Sequence, residues 1–282
     1  MRLAALNVYP LKGAAGIALE SWPLSALGLE YDRRWMLVTP EGMFLTQRDF
    51  PRLCLVRTEI APPDLILTAP GLSPLQTPLA PTQGASLQVA VWRDRCQALL
   101  PDPEADRWCT EALGTACRLA WMPEASARVV DPRYDQLNRR VGFADAFPFL
   151  LIGTASLEEL NRRLADPLPM NRFRPNLVVD GSSPFGEDCW RRIRVGAVEF
   201  DVVKPCARCV VTTTDQGTGQ RGQEPLRTLA TFRRVGTEVY FGQNLIHRGL
   251  GRLAVGDPVE VLEGVEGSDW DETKRPVTPR RR

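Results

Sequence analysis

The 282-residue chain has a single histidine, His247, and three lysines, Lys12, Lys204 and Lys274. One imidazole excludes mechanisms that need two or three, including most catalytic zinc sites. A Ser-His-Asp triad would have to use that one residue. An excess of one charge is also absent: 35 Lys and Arg stand against 34 Asp and Glu, a net charge of +1. No global field attracts a phosphate polymer or an anionic bilayer, so nucleic acid and membrane are not expected partners. Nowhere do about 18 apolar residues run uninterrupted, so no segment reads as a membrane span. Asn7, Pro10 and Lys12 break the apolar start of the chain, which does not read as a signal peptide. The seven cysteines, Cys54, Cys96, Cys109, Cys117, Cys189, Cys206 and Cys209, are odd in number and scattered. That pattern argues for reduced thiols and a cytoplasmic setting rather than a disulfide framework.

What is present is ample core material, 44% hydrophobic against 24% charged residues. At about 100–200 residues per domain the length suits one large or two modest domains. The first hundred residues read as β. Runs at 34–38 and 43–46 flank a Pro40-Glu41-Gly42 turn, a hairpin signal. Strands are expected at 53–56 and 65–67, separated by Pro62-Pro63, and 87–92 alternates as a half-buried strand does. Short strands with Pro-rich turns and hardly any helix predict a small barrel or sandwich.

Helices enter after Asp102. One is expected over 106–113, ending at Gly114. A second is expected over 156–164, where Ser156 and Glu159 have capping-box spacing and Leu157, Leu160 and Leu164 share a face. Strands return at 177–179, 198–202 and 258–262. The expected class is mostly β with some helix (α+β). A β-barrel-like N-terminal domain, 1–120, packs on a second, mostly β domain, 121–264. A polar tail, 265–282, follows and reads as frayed.

The segment Lys204-Pro205-Cys206-Ala207-Arg208-Cys209-Val210-Val211-Thr212-Thr213-Thr214-Asp215 carries the most chemistry. A structural zinc site needs four ligands, usually two Cys pairs, and no second pair exists. A thioredoxin-type pair opens a helix, whereas the β-branched run after Cys209 fits a strand. Two readings stay open on spacing alone. One cysteine serves a metal centre as thiolate, with Arg208 and Lys204 helping to hold it deprotonated; or both are small buried strand residues without a role.

This segment resembles the signature of MOSC domains, the molybdenum-cofactor sulfurase C-terminal family. Further blocks resemble the same family in order. They are Val8-Tyr9-Pro10-Leu11-Lys12-Gly13, Asp32-Arg33-Arg34-Trp35 and Gly142-Phe143-Ala144-Asp145-Ala146-Phe147-Pro148. Asn171-Arg172-Phe173-Arg174-Pro175-Asn176, Phe241-Gly242-Gln243-Asn244 and Val255-Gly256-Asp257-Pro258-Val259 complete the set. The resemblance covers roughly residues 1–263, and is greatest to the branch holding the mitochondrial amidoxime-reducing component and its bacterial counterparts.

It implies an N-terminal MOSC-type β-barrel packed on a MOSC β-barrel domain, with a molybdenum cofactor between them. Cys209 matches the position of the protein thiolate, making it the implied metal ligand and catalytic residue, with Cys206 a packed neighbour. Lys12, Arg33 and Arg174 match basic positions that hold the cofactor's phosphate and pterin. A guanidinium fork and an ammonium point charge suit that task, though each residue alone reads as an ordinary surface charge. Asp145 matches a pterin-contacting acid and alone reads as a solvated loop carboxylate. Gly13 stands where a hydroxyl side chain is common in the animal relatives and leaves a backbone N–H contact. Ala146 and Phe147 likewise replace small hydroxyl residues. His247 reads as a surface or packing residue.

The implied activity is a two-electron reduction that removes oxygen, for example from an N-hydroxylated small molecule. The alternatives are a sulfur-carrier or sulfurase role with a cysteine persulfide, and a non-catalytic carrier of the molybdenum cofactor. No pyridoxal phosphate is expected, because Lys12 and Lys204 lie in the motifs and Lys274 in the tail. No iron–sulfur cluster is expected, because no cysteine follows Cys209. No Gly-x-Gly-x-x-Gly follows a strand to bind a flavin or nicotinamide dinucleotide. An external electron-donor protein is therefore an expected partner.

Overall fold

Apolar residues at every second position close the largest sheet on itself. The structure, a computed structural model, describes residues 1–265. Its nine-stranded sheet runs Ile17–Leu19, Arg2–Val8, Leu177–Asp180, Phe149–Gly153, Glu238–His247, Val198–Ala207, Trp190–Val195, Val259–Gly264, with Arg234–Val235 also paired to Glu238–His247. Only Phe149–Gly153 and Leu177–Asp180 pair parallel. The last strand returns to the first: Arg2 bridges Pro258, and Val259 N donates to Met1 O at 2.9 Å. Leu6 and Val8, Phe149 and Leu151, Leu177 and Val179, Ile193 and Val195, and Val198, Phe200 and Val202 all point into one buried core. The pleat sends alternate side chains to one face, so these positions fill a barrel-like interior.

The second layer is a four-stranded antiparallel sheet, Trp35–Val38, Arg118–Trp121, Asp94–Leu100 and Ala85–Val91, beside a three-stranded one, Arg57–Ala61, Asp64–Thr68 and Leu75–Pro78. Trp35 and Leu37 face a core with Leu53, Leu65 and Leu67. Met36 and Val38 face another with Val89, Ala120 and Phe143. Both faces of Trp35–Val38 are thus covered, which is why its sequence is continuously apolar. Arg2–Val8 and Ile17–Leu19 belong to the large sheet and Ser21–Ser25 pairs with Arg252–Ala254. The chain crosses between the layers at residues 9–13 and 26–35, and the candidate site forms there.

The helix Pro103–Leu113 ends before Gly114 as expected but begins at Pro103 rather than at Asp106. Asp102 caps it by accepting from Glu104 N at 2.7 Å, and Gly114 ends it at φ 76. Other expectations need correction. Residues 53–56 form no strand; Pro51 opens a 3-10 helix, Pro51–Leu55, that buries Leu53 and Cys54. After the Pro40-Glu41-Gly42 turn the second hairpin leg is reduced to single bridges such as Val38 to Phe44. The β-branched run after Cys209 is a 3-10 turn, Val210–Thr213, rather than a strand. There the Thr212 and Thr213 hydroxyls donate to Cys209 O at 3.0 Å and Val210 O at 2.8 Å. Local side-chain bonds satisfy carbonyls that a sheet partner would otherwise take.

The second helix, Thr154–Asn161, begins before Ser156 and has Gly153 at its N-cap, so the capping box does not form. Leu160 does bury, with Leu157 and Leu164 packed against Phe173 and Phe241. Ser156 instead donates to Glu187 Oε2 at 2.8 Å and accepts from Phe185 N at 2.8 Å, while Gly153 N donates to Glu187 Oε1 at 3.1 Å. Ser156→Ala would leave two of these buried groups without that partner, at about 1–3 kcal/mol. The urea midpoint should fall with an unchanged slope. A wild-type midpoint would show that the pair carries no stability.

His247 is a packing residue, 6% exposed, with its ring edge-on to Phe149 at 5.5 Å. Burial lowers it to about 4. Its pKa lies below the unfolded value, so the unfolded chain binds the extra proton, and stability falls as pH drops from about 6.5 towards 4. The loss should reach up to about 3 kcal/mol and vanish in His247→Phe. Equal acid sensitivity in both proteins would contradict this. Among the described residues no helix is long and apolar enough to cross a membrane. The expected tail lies outside the described residues, save Val265.

Candidate functional site

A cleft of about 190 Å³ opens between the two layers, lined by Lys12, Gly13, Arg33, Asp145, Arg174 and Cys209 together with residues the motifs did not single out. Backbone hydrogen bonds bring the first segments together. Arg33 N donates to Tyr9 O and Lys12 N to Trp35 O, both at 2.8 Å, and Phe143 N donates to Arg33 O at 2.7 Å. Asp32 sits at the centre, 4% exposed. It accepts from Tyr9 N at 2.8 Å, Arg33 Nη1 at 2.6 Å and Asn176 Nδ2 at 3.2 Å. Burial pushes its carboxyl up, against the pull of Arg33 and these donors.

Arg33 and Arg174 have left-handed backbones, φ 47 and 57, and each guanidinium lies 4.4 Å from the Tyr9 ring. A non-glycine residue in that region costs of order 1–3 kcal/mol and clusters at functional sites. Here the strain aims two cations at one aromatic ring beside the cleft. Arg33 is tied to Asp32 and also donates to Asn176 Oδ1 at 2.8 Å. The Arg174 guanidinium contacts Gln216 Oε1 only at 3.4 Å. Burial, with Arg33 nearby, draws Arg174 down to about 10, so it stays cationic at neutral pH.

Lys12 is buried and donates to Phe143 O at 2.7 Å and Asp145 Oδ1 at 2.5 Å. Burial lowers its pKa and Asp145 opposes the change. Asp145 stands half-exposed at the rim. The surrounding walls cost its carboxylate solvation, but Lys12, Arg48 and the Trp92 side chain outweigh them and hold it well below the usual carboxylate range. Gly13 has φ 86, and a Cβ there would lie 2.5 Å from Leu53 Cδ2. A side chain there would have to displace Leu53 and would be strained at this φ.

Both cysteines of the pair line the cleft. Cys206 ends the strand Val198–Ala207 and Cys209 caps the 3-10 turn. Their cationic neighbours differ from those expected. Arg48 Nη2 donates to Cys209 Sγ at 3.4 Å, whereas Arg208 donates to Cys206 Sγ at 3.0 Å and Phe173 O at 2.7 Å. Lys204 lies 5.2 Å over the Tyr134 ring instead. Cys206 is half-buried on the cleft wall rather than packed away in the core.

The charge balance of the cleft departs sharply from that of the chain. Lys12, Arg33, Arg48, Arg174 and Arg208 line it against Asp145 alone. Clustered cations in a partly enclosed wall favour an anionic ligand. Arg48, Gln47 and Gln216 were not legible as site residues. The segment Thr46-Gln47-Arg48 has no spacing that signals chemistry. It reaches the site because Gln47 Nε2 donates to Gly13 O at 2.5 Å and to Gln216 Oε1 at 3.1 Å.

A model of the MOSC N-terminal beta barrel domain matches residues 1–116, and one of the MOSC domain matches residues 138–260. Mitochondrial amidoxime-reducing component 1 of Mus musculus is 33% identical over 279 residues, covering 92% of this chain and 82% of its own length. Mitochondrial amidoxime reducing component 2 of Bos taurus is 33% identical over 276 residues, 91% of this chain and 82% of its own. Molybdenum cofactor sulfurase of Homo sapiens is 31% identical over 293 residues, 94% of this chain but 33% of its own. The chain thus spans about a third of that sulfurase's length.

Proposed function

This chain belongs to the MOSC family, and from that premise we propose that it is a molybdenum-cofactor-dependent reductase of N-hydroxylated small molecules. The observation that carries the reading is the cleft itself, where five cations and two thiols face one carboxylate. The donor set fits such a cofactor. A thiolate is a soft ligand of the kind a pterin-bound metal takes. Among the described residues no cluster of three or more His, Cys, Asp or Glu could hold a metal ion, so a metal here brings most of its ligands with it. When bound, the cofactor supplies a two-electron redox centre that removes oxygen from the substrate.

The chain's own residues hold and orient. Cys209 supplies the metal thiolate. Arg174 and Arg33 offer planar forks to phosphate and pterin oxygens, and Lys12 adds a point charge. Asp145, kept ionised chiefly by Lys12 at 2.5 Å, accepts hydrogen bonds from ring N–H groups of the pterin. Gly13 contributes main chain only. Lys12, Gly13, Arg33 and Arg48 come from the proposed domain 1–120 and Asp145, Arg174 and Cys209 from 121–264, so neither completes the cleft alone. Electrons come from an external donor protein.

The rival reading, a cleft cysteine carrying a persulfide, draws on the similarity to sulfurases. The chain covers a third of the human one, however. The test is turnover by protein from a cofactor-competent host, supplied with an amidoxime and either reduced viologen or NADH plus a reductase fraction. Amidine formation is expected with both. No turnover with any donor would favour a carrier, and robust turnover with NADH alone would refute the external donor.

A further inference from the structure

We propose that Arg48 selects the substrate at this cleft: its guanidinium hydrogen-bonds the oxygen of a neutral N–O compound and repels the cationic product left when that oxygen is gone. The inference rests on the reductase reading above and names a residue that the motifs did not mark.

The base of Arg48 is fixed. Its N–H donates to Thr46 Oγ1 at 3.0 Å, and Arg221 Nη1 donates to its carbonyl at 3.0 Å. Arg221 also holds the preceding Gln47 O. The guanidinium stacks 4.4 Å from the Trp92 ring. Trp92, φ 58, sits in the turn between Ala85–Val91 and Asp94–Leu100 and is braced by Phe44 at 5.0 Å. Stacking on an aromatic face is a common way to hold a guanidinium while leaving its edge free.

The head of Arg48 is unspent. Its contacts to Cys209 Sγ and Asp145 Oδ2 are 3.4 and 3.5 Å, the latter beyond ordinary N–H···O length. A guanidinium has five N–H donors. The other cleft cations are committed: Lys12 to Phe143 O and Asp145 at 2.7 and 2.5 Å, Arg33 to Asp32 at 2.6 Å, Arg208 to Phe173 O at 2.7 Å. Arg174 is already assigned to the cofactor. Arg48 is therefore the cation beside Cys209 with donors left for a third party.

The chemistry of substrate and product gives that cation a direction. An amidoxime is neutral at neutral pH and presents an N–O oxygen as acceptor. The amidine formed on losing that oxygen is protonated and has no such acceptor. A fixed guanidinium therefore favours substrate over product, by attraction of one and repulsion of the other. Trp92 acts through Arg48 and is a positioning residue.

The test uses molybdenum-loaded protein, with benzamidoxime as substrate, benzamidine as product probe and reduced viologen as donor. Arg48→Met should keep wild-type molybdenum and pterin content and raise KM for benzamidoxime about 10-fold or more, the scale of a hydrogen bond to a charged group. Benzamidine binding, measured by calorimetry without reductant, should tighten. Opposite movements of the two affinities are not what a merely damaged site produces. Trp92→Ala should shift both in the same directions by less and add nothing to Arg48→Met. Trp92→Phe, which keeps the stacking face but not the indole N–H toward Asp145, should reverse most of the shift. The proposal is overturned if both affinities are unchanged, if both weaken together, or if molybdenum content falls, which would make Arg48 a cofactor grip. Loaded wild type that turns over no N-hydroxylated compound overturns the reductase reading instead, and benzamidine binding still decides the sign of the Arg48 effect.

Discussion

Cys209→Ala is expected to abolish reduction of N-hydroxylated compounds in molybdenum-supplied protein while leaving the fold intact. The loss should exceed the roughly 10–100-fold that follows removal of a group merely orienting a metal ligand. The fold should survive because Cys209 holds its turn through its main chain. Thr212 N and Thr212 Oγ1 both bond Cys209 O, at 3.1 and 3.0 Å, and neither bond involves the thiol. Its Sγ accepts one side-chain hydrogen bond, from Arg48 at 3.4 Å, and none from the turn itself, so circular dichroism and the unfolding midpoint should stay close to wild type. Cys206→Ala should cost much less, because Arg208 retains its bond to Phe173 O. Full activity in Cys209→Ala, or equal losses in the two variants, would remove Cys209 from the metal.

Arg174→Ala is the second large effect, on cofactor content rather than on the fold. Each charge-assisted bond to phosphate is worth about 1.5–3 kcal/mol, so losing a forked pair should cut occupancy at least about 10-fold. The cofactor-free protein should hardly notice. The Arg174 head makes one long contact, at 3.4 Å, and lies beside Arg33 across Tyr9. Its removal relieves repulsion between like charges. Alanine inherits the left-handed φ of 57, so the backbone strain is unchanged. Arg174→Lys should recover part of the occupancy, since it keeps the charge without the fork. Molybdenum and pterin per chain, set beside thermal unfolding of the cofactor-free protein, read the two effects separately. Undiminished cofactor in Arg174→Ala would assign the phosphate to another residue.

Much of the fold was legible because period-two burial writes itself into sequence. Val198, Phe200 and Val202 alternate in the sequence and fill the barrel core in the structure. The Gly114 stop of the helix Pro103–Leu113 is an equally local signal. The misreadings share one cause, competition between local pattern and distant partners. Ser156 has capping-box spacing but is claimed by Glu187, 31 residues away. The run after Cys209 is β-branched, yet its own threonine hydroxyls close a turn.

The site divides in the same way. Lys12, Arg33, Asp145, Arg174 and Cys209 could be named because ordered motifs carry them. Arg48 could not, since its proximity to Cys209 depends on a contact spanning 161 residues. For the same reason sequence adjacency does not say which cysteine Arg208 turns to at the strand end; it bonds Cys206 Sγ.

The central claim is that a molybdenum cofactor sits in this cleft with Cys209 as its protein ligand. Molybdenum K-edge X-ray absorption on loaded wild type, Cys209→Ala and Cys206→Ala tests it most directly. The expected result is one fewer sulfur neighbour of molybdenum in Cys209→Ala and an unchanged count in Cys206→Ala. An unchanged count in Cys209→Ala, or no molybdenum in wild type made by a cofactor-competent host, would contradict it.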